Sequence, residues 1–215
     1  MTKDILIYGF GGFGREIASI IQTINKTTLT WNILGFIDDG VAVGAENRFG
    51  KVLGNRDFLN GYAEPVSVVM AIASPKTLEM VVSKITNPNI HFPNIIAPGI
   101  LYFDEETFEI GKGNVIGHGC RFSTDVEIGN FNLINGMVSF GHDVKTGNYN
   151  IFQPETRISG ETTIGNTNFF GVRSLVLQGL KIGNNTRIGT GSVIMRKTKD
   201  EMTYFGNPAK ILKVN

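Results

Sequence analysis

The stretch "EIGKGNVIGHGCRFSTDVEIGN", residues 109–130, returns an apolar residue every six positions, and the glycine behind it returns almost as often. Stepping by six from Ile110 to Ile194 gives fifteen positions, of which fourteen are apolar without an insertion and only Thr146 is polar. Glycine follows at nine of the fifteen. That suits a corner where the backbone needs positive φ or has no room for a Cβ. Two residues before each apolar position the side chains are mostly small, from Asn114 and Cys120 through Asn132 and Asn150 to Ser192. Side chains alternate with period two along a strand, so a large residue and a small one two positions earlier both point into a narrow tube of stacked strands.

A helix would need apolar spacing near 3.6, and an ordinary antiparallel sheet would not keep a strict six-residue period over this length. The pattern therefore predicts a hexapeptide parallel β-helix, three strands to a coil of 18 residues and about five coils in all. Neighbouring strands then lie roughly 4.8 Å apart. The segment "KDEMTYFGNPAKILKVN", residues 199–215, follows the last repeat. It reads as a cap over the open strand edges of the tube.

Ahead of the repeat the pattern changes. "DILIYG", residues 4–9, is a continuous apolar strand; "GFGGFG", residues 9–14, is a glycine turn; and "REIASIIQTI", residues 15–24, puts Ile17, Ile20, Ile21 and Ile24 on one helical face. Gly9, Gly11 and Gly14 satisfy G-x-G-x-x-G, with Gly12 inside the loop, a turn that brings backbone and phosphate to a helix N-terminus. "NILGFIDD" supplies a second strand ending in Asp38 and Asp39, and "VSVVMAIAS" a third that leads through Ser74 and Pro75 into a helix bearing Lys76. Taken alone this is a dinucleotide fingerprint, and it raises the reading of a nicotinamide-dependent oxidoreductase. Yet the region before the repeat holds only one half of a doubly wound domain. "HFPNIIAPGI", residues 91–100, reads as a linker. We expect a Rossmann-like nucleotide-binding domain over residues 1–95 and a repeat domain over 96–215.

The balance of 20 basic against 19 acidic residues leaves no field to steer the chain onto nucleic acid or anionic lipid. A single cysteine, Cys120, forms no internal disulfide, and no apolar segment approaches the length of a membrane span. These features place the protein in the cytoplasm. One cysteine and three scattered histidines give no metal-ligand spacing, and no G-x-S-x-G elbow is present.

"SFGHDVKTGN", residues 139–148, holds the only His-Asp pair. In the six-residue register His142 falls two positions past an apolar residue, at an outward corner. Eighteen residues on lies Gly160, and eighteen back lies Thr124. A neutral imidazole accepts a proton from an attacking amine or hydroxyl, and an N–H one strand away donates to a tetrahedral oxyanion. That pairing suits acyl transfer. His118 shares the corner phase but lies 24 residues earlier, on a different edge, and we read it, like His91, as structural.

The combination of a short glycine-loop α/β unit, a linker, a hexapeptide tube and the motifs "YGFGGFG", "FIDD", "INGMVSFGHD" and "FGNPAK" resembles the bacterial sialic-acid O-acetyltransferase and nucleotide-sugar N-acetyltransferase family. The resemblance implies a left-handed coil, a homotrimer with active sites between subunits, and direct acetyl transfer from acetyl-CoA to the amino group of a nucleotide-linked sugar. O-acetylation of sialic acid or a related sugar is the alternative, and a non-catalytic trimeric scaffold or sensor a weaker one. It further implies His142 as base, Asp143 as the group that orients it, and Gly160 as oxyanion donor. Asn135 matches a position near the acceptor sugar, while Gly171, Val172, Thr190 and Gly191 match positions lining the pantetheine groove. Asp38 and Asp39 are expected to meet a base or ribose, and Ser74 and Lys76 a phosphate. The chain departs from the family at Gly141, where an acidic residue is common. It departs again at Ile151, where some relatives carry a second histidine, and at Ala97, where histidine is frequent.

Overall fold

The computed structural model describes residues 2–212. The chain divides into two compact units, Met1–Pro98 and Gly99–Asn215.

In the first unit a sheet of order β3-β4-β2-β1-β5-β6 is built from β1 (Lys3–Tyr8), β2 (Trp31–Ile37), β3 (Glu46–Asn47), β4 (Gly50–Gly54), β5 (Val66–Met70) and β6 (Ile90–His91). β1 lies in the middle, parallel to both β2 and β5, and its Ile5, Leu6 and Ile7 are fully buried. An apolar run with no polar alternation is what a central parallel strand covered on both faces requires. α1 (Gly12–Thr27) buries Gly14, Ile17, Ala18 and Ile21, with Ile20 and Ile24 half-buried. α3 (Pro75–Ser83) starts at Pro75 and buries Leu78 and Val81. The hairpin of β3 with β4, the short helix α2 (Arg56–Asn60) and β6 were not foreseen from the sequence. They are too short to show periodicity.

The second unit is the β-helix. Its strands pair in parallel at a constant offset, Arg121 with Ser139, Ser139 with Arg157, Arg157 with Leu175, and Leu175 with Val193. A second face aligns Glu109, Glu127, Lys145, Thr163 and Lys181 as a five-stranded sheet. A third stacks Val115, Leu133, Ile151, Phe169 and Arg187. We call these the arginine, lysine and leucine faces. Thr203–Gly206 continues the leucine face, and Ala209–Ile211 folds back antiparallel against it, covering the edge strand. The cap expected there is therefore made by residues 203–211, while Lys213, Val214 and Asn215 of the expected segment lie outside the described residues.

The tube is filled as the repeat demands. Ile116, Phe122, Ile134, Phe152, Phe170 and Ile188 are fully buried, and stacked rings continue between coils, as with Phe122 on Phe140 at 5.3 Å and Phe152 on Phe170 at 4.6 Å. The small inward positions include four buried asparagines, Asn114, Asn132, Asn150 and Asn168. The Nδ2 of Asn132, Asn150 and Asn168 each donates to the Oδ1 of the asparagine one coil before it, at 3.2, 3.1 and 2.9 Å. The ladder satisfies amides that would otherwise be buried at a cost. A second ladder, Asn130 through Asn148 and Asn166 to Asn184, runs along an outer corner with the opposite sense of donation and ends on Asp200.

The corner glycines are explained by space and not by φ. A Cβ on Gly129 would lie 2.5 Å from the Gly147 carbonyl oxygen, and Gly111, Gly147 and Gly165 meet the same obstacle in the next coil. Positive φ falls two residues later, mostly on non-glycine residues such as Asp125, Phe131, Asp143 and Glu161.

Candidate active site

The corner that ends the arginine face carries Thr124, His142 and Gly160 in one column. Asp143 N donates to the Thr124 carbonyl at 3.1 Å, and Glu161 N donates to the His142 carbonyl at 2.8 Å. These corner bonds fix the vertical register. The structure brings His142 and Gly160 together: a Cβ built on Gly160 would stand 2.6 Å from His142 Nε2 and 2.8 Å from its Cε1. Only glycine lets the imidazole lie flat against the coil at that level. The Gly160 N–H makes no hydrogen bond among the described residues, and Gly160 itself is buried.

Asp143 adopts φ 58°, a left-handed conformation that Asp tolerates better than most residues. In that conformation its Oδ2 lies 2.7 Å from His142 Nδ1. With Nδ1–H donating to the carboxylate, Nε2 carries the lone pair, on the side of the ring that meets Gly160. Both side chains remain about half exposed, at 46 and 57%. The group is open to a substrate and restrained by one short bond.

Along the arginine face beside this corner runs an open groove of about 390 Å³, lined among others by Arg121, Ser123, Ser139, Arg157 and Ser159. Sequence reasoning did not single out these residues. The signal was present in every eighteenth position outward from Ser139, but a reading guided by the apolar repeat passes over the outward side chains.

Asn135 lies at the other end of the Ser139–Phe140 strand, at the corner between the leucine and arginine faces, where its Nδ2 donates to the Phe152 carbonyl at 3.1 Å. Gly171, Val172, Thr190 and Gly191 occupy that same edge higher in the coil; a Cβ on Gly171 would meet Thr190 N at 2.5 Å, and Gly191 N bonds Val172 O at 2.8 Å. Within one chain, then, the His142 edge and the edge expected to line the pantetheine groove are separated by the width of the arginine face. His118 falls on the second edge, its carbonyl bonded by Met137 N. Cys120 is buried, its thiol donating to the Asn135 carbonyl at 3.0 Å, and burial pushes the thiol up to about 11. It is unsuited to nucleophilic work. No cluster able to hold a metal ion occurs among the described residues.

In the first unit the loop glycines separate into two kinds. A Cβ on Gly9 would come within 2.7 Å of the Ala71 carbonyl oxygen, and one on Gly14 would overlap the Gly9 carbonyl. Those two serve close strand and helix packing. Gly11 has open space around it and Gly12 meets only the flexible end of Arg15, so nothing in the fold demands their lack of a side chain. Asp38 accepts from Phe10 N at 2.9 Å and from Gly40 N and Val41 N at 2.8 and 3.1 Å, tying the glycine loop to the turn after β2. Asp39 accepts from the Tyr8 hydroxyl at 2.8 Å and from Arg56 N at 2.9 Å. Burial, followed by that bond and the charge of Asp39, raises the Tyr8 hydroxyl far above its ordinary value. Asp38 thus braces the glycine loop, while the exposed Asp39 ties the end of β1 to the start of α2. Ser74 precedes α3 and its Oγ accepts from Thr77, while Lys76 is exposed.

Among the described residues no helix is long and apolar enough to cross a membrane. Comparison with protein families matches residues 4–85 to the PglD N-terminal domain. No curated protein sequence matches the chain. Among solved structures, WeeI from Acinetobacter baumannii AYE is 28% identical over 98% of this chain and 100% of its own, with a TM-score of 0.87. The acetyltransferase domain of PglB from Neisseria gonorrhoeae, in complex with acetyl coenzyme A, is 23% identical over 99 and 100%, TM-score 0.88. A histidine-to-asparagine mutant of perosamine N-acetyltransferase from Caulobacter crescentus, in complex with CoA and GDP-perosamine, is 22% identical over 100 and 99%, TM-score 0.86. Residues 4–85 of the chain are thus similar to the PglD N-terminal domain, and over its whole length the chain has the fold of these three solved structures.

Proposed function

We propose that the protein is an acetyl-CoA-dependent N-acetyltransferase that acts on the amino group of a nucleotide-activated sugar in bacterial glycan biosynthesis. The observation that carries this reading is the imidazole of His142, held at Nδ1 by Asp143 and lying with Nε2 against Gly160. The solved relatives that bind acetyl coenzyme A, or CoA with GDP-perosamine, support the donor and the acceptor class.

In this reading the acceptor amine attacks the thioester carbonyl, and His142 Nε2 takes the proton that the nitrogen loses. The Gly160 N–H donates to the tetrahedral oxyanion. Collapse breaks the carbon–sulfur bond, and the proton on His142 passes to the departing thiolate. The products are the N-acetylated sugar and free CoA, with no acyl-enzyme between them. Gly11 and Gly12, with Ser74 and Lys76, hold the nucleotide on the first unit, and the bond from Phe10 N to Asp38 keeps the glycine loop in shape.

We place the site in a homotrimer of left-handed coils, about five turns each by the hexapeptide period, in the cytoplasm. The separation of the His142 edge from Asn135, Gly171, Val172, Thr190 and Gly191 supports this, because the two edges meet only if neighbouring copies face one another. Sedimentation equilibrium tests the trimer directly, and a monomer that turns over at full rate refutes it.

Thiol release from acetyl-CoA against UDP-, GDP- and dTDP-linked amino sugars tests the activity. His142→Ala is expected to lower kcat by about 10²–10⁴-fold. Unchanged turnover removes His142 from the reaction. Product formed only on hydroxyl acceptors such as sialic acid would change the assignment to O-acetylation, and no turnover with any acceptor would favour the scaffold reading.

A further inference from the structure

Each strand of the arginine face is flanked by two corners, one on the His142 edge and one on the edge that carries Asn135. Ser139–Phe140 has Gly136 before it and His142 after it, and the strand beneath, Arg121–Phe122, has His118 before it and Thr124 after it. Met137 N donates to the His118 carbonyl at 2.9 Å, Glu155 N to that of Gly136, Arg173 N to that of Pro154 and Gly191 N to that of Val172. His118, Gly136, Pro154, Val172 and Thr190 therefore form one column on the second edge. Val172 and Thr190 are its upper part, on the path expected for pantetheine, and His118 is its foot. The imidazole of His118 is exposed and makes no hydrogen bond among the described residues. The hydroxyl of the half-buried Thr124 makes none there either, since that residue receives Asp143 N at its carbonyl.

Within one chain His118 and His142 are kept apart by the width of the arginine face. In the trimer proposed above the two edges face one another across neighbouring copies, and a threefold axis along the coil turns each copy onto the next without changing height. Corners that flank the same strand then come opposite. Gly136 of one copy stands across from His142 of the next, Pro154 from Gly160, Val172 from Gln178, and His118 from Thr124. The glycine opposite His142 leaves room for the reacting group. With the arm of the donor in the cleft above that level, the acceptor comes from below. The polar side chains waiting there are His118 and Thr124, about one strand spacing, or roughly 5 Å, beneath the base. That is the reach of one sugar ring. The charge of the cleft decides what they bind. Asp125 follows Thr124, Asp143 follows His142, and both carboxylates are exposed, while Arg121 lies on the face turned to the axis. The carboxylates disfavour a phosphate or a sugar acid at this level. An imidazole and a hydroxyl, each able to donate and to accept, suit a neutral hydroxyl. We infer that the neighbouring copy's His118, with Thr124 of the copy that supplies His142, hydrogen-bonds the hydroxyl beside the acceptor's amine and so selects a nucleotide-linked amino sugar that bears one.

The inference rests on the acetyltransferase reading and its trimer, and the test separates them. Steady-state kinetics are measured for wild type, His118→Ala, His118→Gln and Thr124→Val. The acceptors are whichever of the UDP-, GDP- and dTDP-linked amino sugars turns over, and its counterpart lacking the hydroxyl beside the amine. His118→Ala is expected to raise KM for the hydroxylated acceptor about tenfold while KM for acetyl-CoA and kcat stay within about twofold. Thr124→Val raises it by about threefold, and His118→Gln, which keeps a donor and an acceptor, recovers part of the loss. Toward the deoxy acceptor the wild type already shows the higher KM, and His118→Ala adds less than about twofold. An equal rise for both acceptors, no rise, or a rise in KM for acetyl-CoA instead overturns the inference and leaves His142 as base. Mixed assembly then asks whose His118 is used. Chains carrying His118→Ala and chains carrying His142→Ala are co-expressed under different tags, and trimers holding both are purified. Each mixed trimer has one site where an intact His142 meets a neighbour's intact His118, so a phase with the wild-type KM for the acceptor returns. Retention of only the raised KM overturns the inference. An active monomer removes the trimer and this inference together while leaving the His142 chemistry, and no turnover with any acceptor removes the acetyltransferase reading itself. Far-ultraviolet circular dichroism confirms that the variants keep the fold.

Discussion

The two units solve the burial of backbone and amide groups in opposite ways. In the first unit polar demands are met one at a time, by particular residues: Asn25 accepts from Thr30 N and Trp31 N, Asn87 donates to the carbonyls of Leu59 and Tyr62, and Asp38 ties a loop to a turn. In the coil one answer is copied from turn to turn, as a ladder of asparagines and a column of corner glycines. A defect in the first unit is therefore local. A defect in the coil has the same neighbours above and below and breaks a chain of bonds.

The largest expected effect is at the middle of the inner ladder. Asn150 donates to Asn132 and to the Gly165 carbonyl and accepts from Asn168; the three asparagines are buried and Gly165 partly so. Asn150→Ala leaves several of these groups without partners and should cost about 2–4 kcal/mol, read as a lower midpoint in denaturant. A loss under 0.5 kcal/mol would mean that the ladder contributes little beyond the strands.

Gly14→Ala is the corresponding break in the first unit. Its Cβ overlaps the Gly9 carbonyl, so α1 must move away from β1, at about 1–3 kcal/mol. Hydrogen exchange should localise the loss to residues of the first unit, while a uniform loss of protection through the coil would show that the two units unfold together.

A smaller effect, in the stabilising direction, is expected where the repeat fails. Thr146 is the polar residue among the fifteen inward positions, and its buried hydroxyl has no hydrogen-bond partner among the described residues. Thr146→Val keeps the shape, removes that group and should stabilise the coil by about 1 kcal/mol. A destabilised Val variant would point to a use for the hydroxyl.

The smallest concerns Asp200, whose carboxyl is held below the usual range by the backbone and then the side chain of Asn184. A depressed folded-state pKa adds stability that is present above the unfolded value near 3.9 and is lost as pH falls through the folded value. Asp200→Asn should flatten that acid limb and leave the midpoint near pH 7 little changed. An unaltered acid limb would remove the residue from the linkage.

The coil was legible because its rule repeats: one inward position every six residues fixes the strands, the faces and the placing of His142 beneath Gly160. What the repeat could not reveal lies on the outside. Arg121 and Arg157 belong to no apolar period, so a reading led by the inward positions passes over their alignment with Ser139 on one face. Positive φ was harder still, since Asp143 and its counterparts carry it in place of glycine. In the first unit the strands and long helices followed from apolar runs and helical spacing. The division of the loop glycines did not, because G-x-G-x-x-G looks the same whether a glycine yields to a ligand, as Gly11 can, or to its own backbone, as Gly14 must.

Asp200 also bears on how long the coil can be. Every asparagine of the outer ladder receives a proton contact and passes one on, so the series could in principle be extended by simple duplication. A carboxylate receives and has nothing to hand forward. Where Asn184 meets it the relay stops, and the same residue that finishes the sequence of amides also marks the top of the stack as a place where no further turn is invited.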